Sequence, residues 1–332
     1  VPRRQLSRSA VLLALAGALA LLMLLSAASG AFVIALADLP RILFAPQAQD
    51  MVAHRVLMDV RLPRVVLAVV VGGGLAMAGA SMQALFRNPL ADPGLIGISS
   101  GAALGAVCAI VLGTGSFLFV AGSAFVGSLM ASCAGWLLGR RIAGTAGLLL
   151  AGIAINAACG SAIGLFSFVA NDAQLRSLTF WNLGSLAWGS WTVLVGLAPW
   201  TALLSWGLYR RWRAMNALLM GEREAWHLGF SLTRLRCELI ALVALLVGPL
   251  VAVTGVIGFV GLVVPHVLRL LLGAEHQHLL PACLLGGAVA LTAADWLARV
   301  SIAPAELPVG IVTSLIGAPF FLVLILRSGR GG

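Results

Sequence analysis

Side chains able to do chemistry are few in this chain, and none is gathered as catalysis requires. Eleven carboxylates and five histidines are spread over 332 residues. His276 and His278, with Glu275 beside them, come nearest to a metal cluster, but no third and fourth ligands follow at zinc spacing. HExxH is absent, which leaves a membrane metalloprotease without basis, and so is G-x-x-x-x-G-K-[ST], so no nucleotide phosphate loop is present. His266, between Pro265 and Arg269, could ligate a metal or haem, although a hydrogen bond at a helix end accounts for it as well. Cys108, Cys133, Cys159, Cys237 and Cys283 lie in or beside apolar runs without paired spacing and read as small core residues. What remains is the chemistry of recognition. Arg61 and Arg64 straddle Pro63, Asp295 and Arg299 stand at i,i+4, Asn156 and Ser161 sit inside an apolar run, and a charged loop surrounds Gly221.

The elements that must position these groups follow from composition. The chain is 61% hydrophobic and only 10% charged, against about a quarter charged for a soluble domain, so it belongs in lipid. Its formal net charge is +10, and all 21 basic residues are arginine. These charges fall between apolar runs, where membrane topology and anionic lipid explain them better than nucleic acid does. Ten apolar runs are expected as spans: Ala10–Ala37, Pro63–Met82, Leu95–Leu112, Phe117–Leu138, Ala146–Val169, Trp191–Tyr209, Leu239–Val253, Ile257–Leu272, Leu279–Leu297 and Pro308–Leu326. Ala10–Ala37 is too long for a signal core and lacks a clear cleavage site, so it reads as a retained span. With both termini in the cytoplasm, the inner arginines include Arg3, Arg4, Arg8, Arg140, Arg141, Arg210, Arg211, Arg213, Arg234, Arg236, Arg327 and Arg330. Only Arg41, Arg55, Arg61, Arg64, Arg176 and Arg299 fall outside, which satisfies the positive-inside rule. No connection is long enough for a soluble domain, so residues 1–332 form one transmembrane unit.

Four stretches carry the organisation. Arg61–Gly97 passes from two arginines through Gly72, Gly73, Gly74 and Gly79 to a turn in which Pro89 and Pro93 forbid a continuous helix. Gly144–Asn171 is again dense in small residues, and Asn156 and Ser161 within it either bond a neighbouring helix or line a pathway. Arg210–Arg236 contains a helix of about two turns between Gly221 and Gly229, read either as an amphipathic surface helix or as a docking helix for a cytoplasmic partner. In Val253–Gly273, Gly255, Gly258 and Gly261 recur every three residues as one flat helix face, and Pro265 interrupts the helix beyond it. Asp295 and Arg299 read as an intrahelical pair of about 0.2–0.5 kcal/mol.

RLPR, MQALFRNPLADPGLIG, SSGAALGA and E-L-P-V-G-x-x-T-S-L-x-G-x-P-x-F resemble the permeases of type II ABC importers, the family that takes up vitamin B12, ferric siderophores and haem. The resemblance runs nearly to the end of the chain and implies an all-α membrane protein of about ten transmembrane helices with the type II importer fold. It implies a homodimer in a bacterial inner membrane, two cytoplasmic ATPase subunits that hold ATP and Mg, and a periplasmic binding protein that delivers the substrate. The chain would move its ligand without transforming it and hold no permanent cofactor. Gly221, Glu222, Ala225, Leu228 and Gly229 match the coupling motif, within a coupling region of about 215–232. The resemblance places an inner gate at Asn88, Pro89 and Leu90 and at Gly144, Thr145 and Ala146, with Asn156 and Ser161 on a pathway helix. It makes Arg61, Arg64 and Arg299 docking arginines for the binding protein, where lipid snorkelling or a contact with haem propionates are the alternatives. NPLADPGLIGISSGAAL, GLLLAGIAINA, QLRSLTFWNLGSL and APAELPVG look most like haem permeases, with ferric siderophore and vitamin B12 as the alternatives. A secondary transporter driven by an ion gradient is the competing class. It usually carries ionisable groups deep in its spans, whereas Glu238 and Asp295 here lie near ends.

Overall fold

The computed structural model describes residues 7–30, 32–113, 115–142, 144–302 and 305–328. Arg3, Arg4, the Arg327 side chain and Arg330 of the expected inner arginines, and Ala303 and Pro304 of APAELPVG, lie outside these described residues. Within them the secondary structure is helical, without strand. The first described span is Arg8–Ala28 (α1), followed by two short helices, Leu39–Phe44 (α2) and Met51–Arg55 (α3). A π-helical turn, Val56–Arg61, leads into Leu62–Phe86 (α4). Then come Ile98–Leu112 (α5), Phe117–Gly139 (α6), Ala146–Val169 (α7), the short Asp172–Asn182 (α8) and Trp191–Tyr209 (α9). Two short helices, Trp212–Met220 (α10) and Glu222–His227 (α11), precede Leu232–Thr254 (α12), Val260–Leu272 (α13), His276–Val300 (α14) and Val309–Ser328 (α15). By length and composition seven helical segments among the described residues can cross a bilayer, and Ile98–Leu112, Val260–Leu272 and Val309–Val323 are shorter apolar helices.

The bundle is assembled around α4, which is buried along nearly its whole length. Glycine is a poor helix former, costing about 1 kcal/mol relative to alanine, yet α4 places three in succession at Gly72–Gly74. Packing explains them. A Cβ on Gly72 would stand 2.2 Å from the Gly287 carbonyl oxygen of α14, and a Cβ on Gly287 would stand 2.1 Å from that of Gly72. Two turns on, a Cβ on Gly79 would lie 1.8 Å from the Gly261 carbonyl oxygen of α13. The backbones therefore meet directly, the arrangement that small residues permit between membrane helices.

Several expectations are corrected. The first span stops at Ala28 rather than reaching Ala37, because Ser29 leaves helical geometry and Gly30 takes a positive φ of 148°. Pro63 does not begin a helix, since helical backbone runs through it from Met51; near the start of α4 its missing N–H is tolerated beside the π turn. Gly255, Gly258 and Gly261 do not share a helix face. Helix α12 ends at Thr254, Gly255 has φ +72° and Phe259 φ +67°, so the first two glycines lie in a sharp bend. Pro265 does not interrupt α13, just as Pro199, Pro249, Pro281 and Pro319 are carried inside other helices, which membrane bundles accommodate. His266 is therefore mid-helix; its ring meets Phe320 edge-on and its Nδ1 finds no partner, in place of the expected helix-end bond.

Replacing Gly72 or Gly287 by alanine is expected to destabilise the chain by about 1–3 kcal/mol through overpacking. Gly17→Ala, at a position with nothing within 4 Å of the added Cβ, should be neutral or slightly stabilising. Thermal unfolding of the three purified variants in one detergent makes the comparison.

Candidate functional site

At one end of the bundle, the carbonyls that close α1 have no intrahelical partners, and two arginines from distant elements supply them. Arg61 Nη1 donates to the carbonyls of Ala27 (2.8 Å) and Ala28 (3.0 Å), and its Nη2 to that of Phe32. Arg299 Nη1 donates to the Ser29 carbonyl at 3.1 Å, and its Nη2 to the Ser26 carbonyl at 3.0 Å and the Ser26 hydroxyl. Cations at a helix C-terminus also suit its dipole. Asp295, fully buried, joins the set: Arg64 Nε donates to its Oδ1 at 2.9 Å and Arg299 Nε to its Oδ2 at 3.1 Å. Arg64 Nη1 reaches the half-exposed Glu306 at 2.6 Å.

The three expected docking arginines are thus brought together but turned inward. Arg61, Arg64 and Arg299 are only 5%, 8% and 5% exposed, because helix-end carbonyls and Asp295 occupy their donors. The Asp295–Arg299 pair is likewise no surface i,i+4 pair but part of a buried four-residue network. Of the other outer arginines, Arg41 pairs with Asp38 and Asp50, while Arg55 and Arg176 are exposed and have no carboxylate partner among the described residues. Arg176 borders a cavity of about 520 Å³ whose wall includes Arg64, Glu306, Phe180, Trp181 and the stacked rings of Phe117 and Trp188. The helix that carries Arg176, α8, escaped the sequence reading although its signal is present: Asn171 and Gln174 form a reciprocal capping box.

At the opposite end, α4 stops where Arg87 turns left-handed at φ 48°, and the Asn88 side chain accepts from the Leu90 N–H at 2.9 Å. Asn88 and Pro89 are exposed. Asp92 then accepts from the Gly94 N–H at 2.8 Å; burial raises its carboxyl above the ordinary range, and that hydrogen bond partly offsets the shift. Asn156 ties α7 to this turn and to α5, donating to the Gly94 carbonyl at 3.2 Å and accepting from the Ser100 hydroxyl at 2.5 Å. Of its two readings, the inter-helix bond is what the structure displays. Ser161 is exposed, on a face of α7 shared with Ala157, Ala158, Gly160 and Gly164. Nothing within the chain lies within 4 Å of a Cβ built on Gly160 or Gly164. Gly144 takes φ +81°, and Thr145 precedes α7 without a side-chain cap. Among the described residues no hydrogen bond joins Gly144–Ala146 to Asn88–Leu90.

The charged inner loop folds as two helices about Gly221, whose φ of +135° sets the corner. Ala225 is fully buried and Leu218 nearly so, anchoring the pair. Glu222 is held by Arg236 at 2.6 Å. Gly229, φ +87°, ends the loop, with its N–H on the Trp226 carbonyl. On the outside, Met220, Trp226 and Leu228 are 62%, 63% and 58% exposed on the arginine-rich side of the chain. The motif residues are therefore close together but divided in role: Glu222 and Ala225 hold the loop, and Leu228 projects from it.

The model of the FecCD transport family matches residues 18–327. The chain belongs to the FecCD transport family. Its relatives in that family include the hemin transport system permease HmuU of Yersinia pestis, 48% identical over 296 residues, covering 86% of this chain and 87% of that one. The vitamin B12 import system permease BtuC of Escherichia coli is 41% identical over 277 residues, covering 82% and 84%. Among solved structures, one described as an inward-facing metal-chelate type ABC transporter superposes with a TM-score of 0.86 at 35% identity, over 96% of this chain and 99% of that one. This FecCD protein is the membrane permease subunit of an ABC importer, with the all-α fold of the type II class. That membership removes the ion-gradient-driven transporter as a competing class.

Asp295→Asn leaves the buried Arg299 with carbonyls but no carboxylate and Arg64 with Glu306 alone, and should cost about 3–5 kcal/mol. Arg234→Gln, which breaks the pair to Glu238 on a side chain 82% exposed, should change stability by less than about 1 kcal/mol. Unfolding midpoints in detergent separate the two.

Proposed function

We propose that this permease carries haem from a periplasmic binding protein across the bacterial inner membrane. It would act as a homodimer with both termini cytoplasmic, driven by two separate ATPase subunits that bind ATP and Mg. The observation that carries the substrate is the 48% identity to a hemin permease along nearly the whole chain, against 41% to a vitamin B12 permease. The uncovered small-residue face of α7, with Ser161, Gly160 and Gly164, supports a second copy packed there, with Asn156 behind it. The turn Asn88–Leu90 and the entrance Gly144–Ala146 are proposed as the inner closure between the copies; two left-handed residues, Arg87 and Gly144, mark their ends.

The docking role of Arg61, Arg64 and Arg299 is proposed as indirect. They hold the outer ends of α1, α4 and α14 in register, while Arg55 and Arg176 offer free guanidiniums to carboxylates of the binding protein. On the inner side, the exposed side chains of Met220, Trp226 and Leu228 would enter a groove on the ATPase, braced by Gly221, Glu222, Ala225 and Gly229.

Reconstituted in liposomes with its ATPase and binding protein, the complex should hydrolyse ATP faster with haem-loaded binding protein and accumulate haem. Ferric siderophore and vitamin B12 should do neither; stimulation by one of these instead transfers the substrate to that class. In the same assay Leu228→Glu should abolish transport while the permease stays folded, because Leu228 is exposed. Ala225→Glu should prevent folding by burying a charge. Normal transport by Leu228→Glu would remove the docking assignment.

A further inference from the structure

Helix α1 leans on α14, and α9 leans on α4. Because α4 and α14 are themselves locked together, the outer two helices stand apart as the walls of a lateral cleft of about 470 Å³. Leu19 and Ala202 belong to its walls, and Met77, Leu284 and Ala288 to its floor. Its lining is almost wholly apolar, with two exceptions on α9. Thr201 and Ser205, 5% and 6% exposed, present hydroxyls that find no hydrogen-bond partner. At the inner end stand Trp206 and Tyr209, the residue types of a membrane interface. One turn beyond Trp206, Arg210 continues the helical backbone; it is exposed and has no carboxylate partner among the described residues. Its neighbour Arg211 is not comparable, since it is held by Glu238 and the Gly207 carbonyl.

We propose that this cleft is a binding site for an anionic phospholipid of the inner leaflet. One acyl chain lies along the cleft, an ester carbonyl accepts the Ser205 hydroxyl, and the phosphate meets Arg210. The order of groups along α9 is the order along the lipid: apolar groove, hydroxyl donor, aromatic belt, unpaired cation. Ser205 and Arg210 are about 7.5 Å apart along the helix axis, so one molecule reaches both. Volume argues against a protein occupant: a helix roughly 10 Å across fills about 400 Å³ per turn, so the cleft would seat only one turn of it. An acyl chain, by contrast, uses the cleft's full length. The preference for an anionic headgroup follows from Arg210 standing unpaired on a chain of net charge +10.

The test is native mass spectrometry of the full chain purified in detergent and titrated with phosphatidylglycerol or phosphatidylcholine. The wild type should retain one phosphatidylglycerol per chain, preferred over phosphatidylcholine by about fivefold. Ala202→Phe, which fills the cleft, should lose both lipids. Leu203→Phe, on the same helix but outside the cleft and 62% exposed, should bind as the wild type does. Arg210→Gln should keep a lipid and lose the headgroup preference, and Ser205→Ala should weaken both lipids equally. If Ala202→Phe proves unstable by thermal unfolding, Leu19→Trp closes the cleft from the opposite wall and takes its place. Undiminished phosphatidylglycerol binding by the cleft-filling variant, or equal binding of both lipids by the wild type, overturns the proposal. So does a cleft that retains only detergent or a co-purified apolar peptide.

Discussion

Backbone-to-backbone contact at Gly72 and Gly287 is the constraint from which the arrangement of the bundle follows. In lipid, apolar side chains gain little by leaving their surroundings for one another, so helix association depends on fit. Two helices whose carbonyls approach within reach of a missing Cβ have only one depth and one angle available. That crossing fixes α4 against α14, the Gly79–Gly261 contact adds α13, and the remaining spans lean on this centre. Rigidity at the centre and looseness at the rim are thereby built from the same glycine-rich sequence.

The buried arginines are a second consequence. Once α4 and α14 are fixed, Arg64 and Arg299 have to flank Asp295, and the end of α1 falls within reach of Arg61 and Arg299. A cluster that resembles a charged landing surface in sequence becomes, in three dimensions, a fastening for a helix end. Its charge is largely satisfied internally, and Glu306 alone carries it to the surface. Arg55 and Arg176, without a carboxylate partner among the described residues, lie on the short helices α3 and α8.

Apolar runs were sufficient to locate ten apolar helices, seven of them long enough to cross a bilayer among the described residues, since composition is a local property. The local shape of the charged loop was equally legible, because glycine at Gly221 and Gly229 punctuates a charged stretch without ambiguity. Less legible were features decided by distant partners. Gly255 and Gly258 repeat at helical spacing, but the surroundings of Gly255 are set by Trp181, whose carbonyl would stand 2.0 Å from a Cβ there. Arg61 sits at a span mouth, yet its orientation depends on carbonyls some thirty residues earlier. Asn156 offered two readings, and only the position of Gly94 and Ser100 separates them. Helix α8 was missed for a different reason: mean polarity hid a capping box that a local search would have found.

The fastening of α1 has a bearing on how the protein is made. Ser26 and Arg299 are 273 residues apart in the chain. At a bacterial or eukaryotic synthesis rate of 5–20 residues per second, roughly 15–55 s separate the emergence of the two. Arg61 follows α1 by some thirty residues and can cap Ala27 and Ala28 early, but throughout that interval the Ser26 and Ser29 carbonyls lack their eventual donor. The fastening of α1 is therefore completed only after α14 has been made, and the half-capped end of nascent α1 must be tolerated by lipid or shielded by the insertion machinery until then.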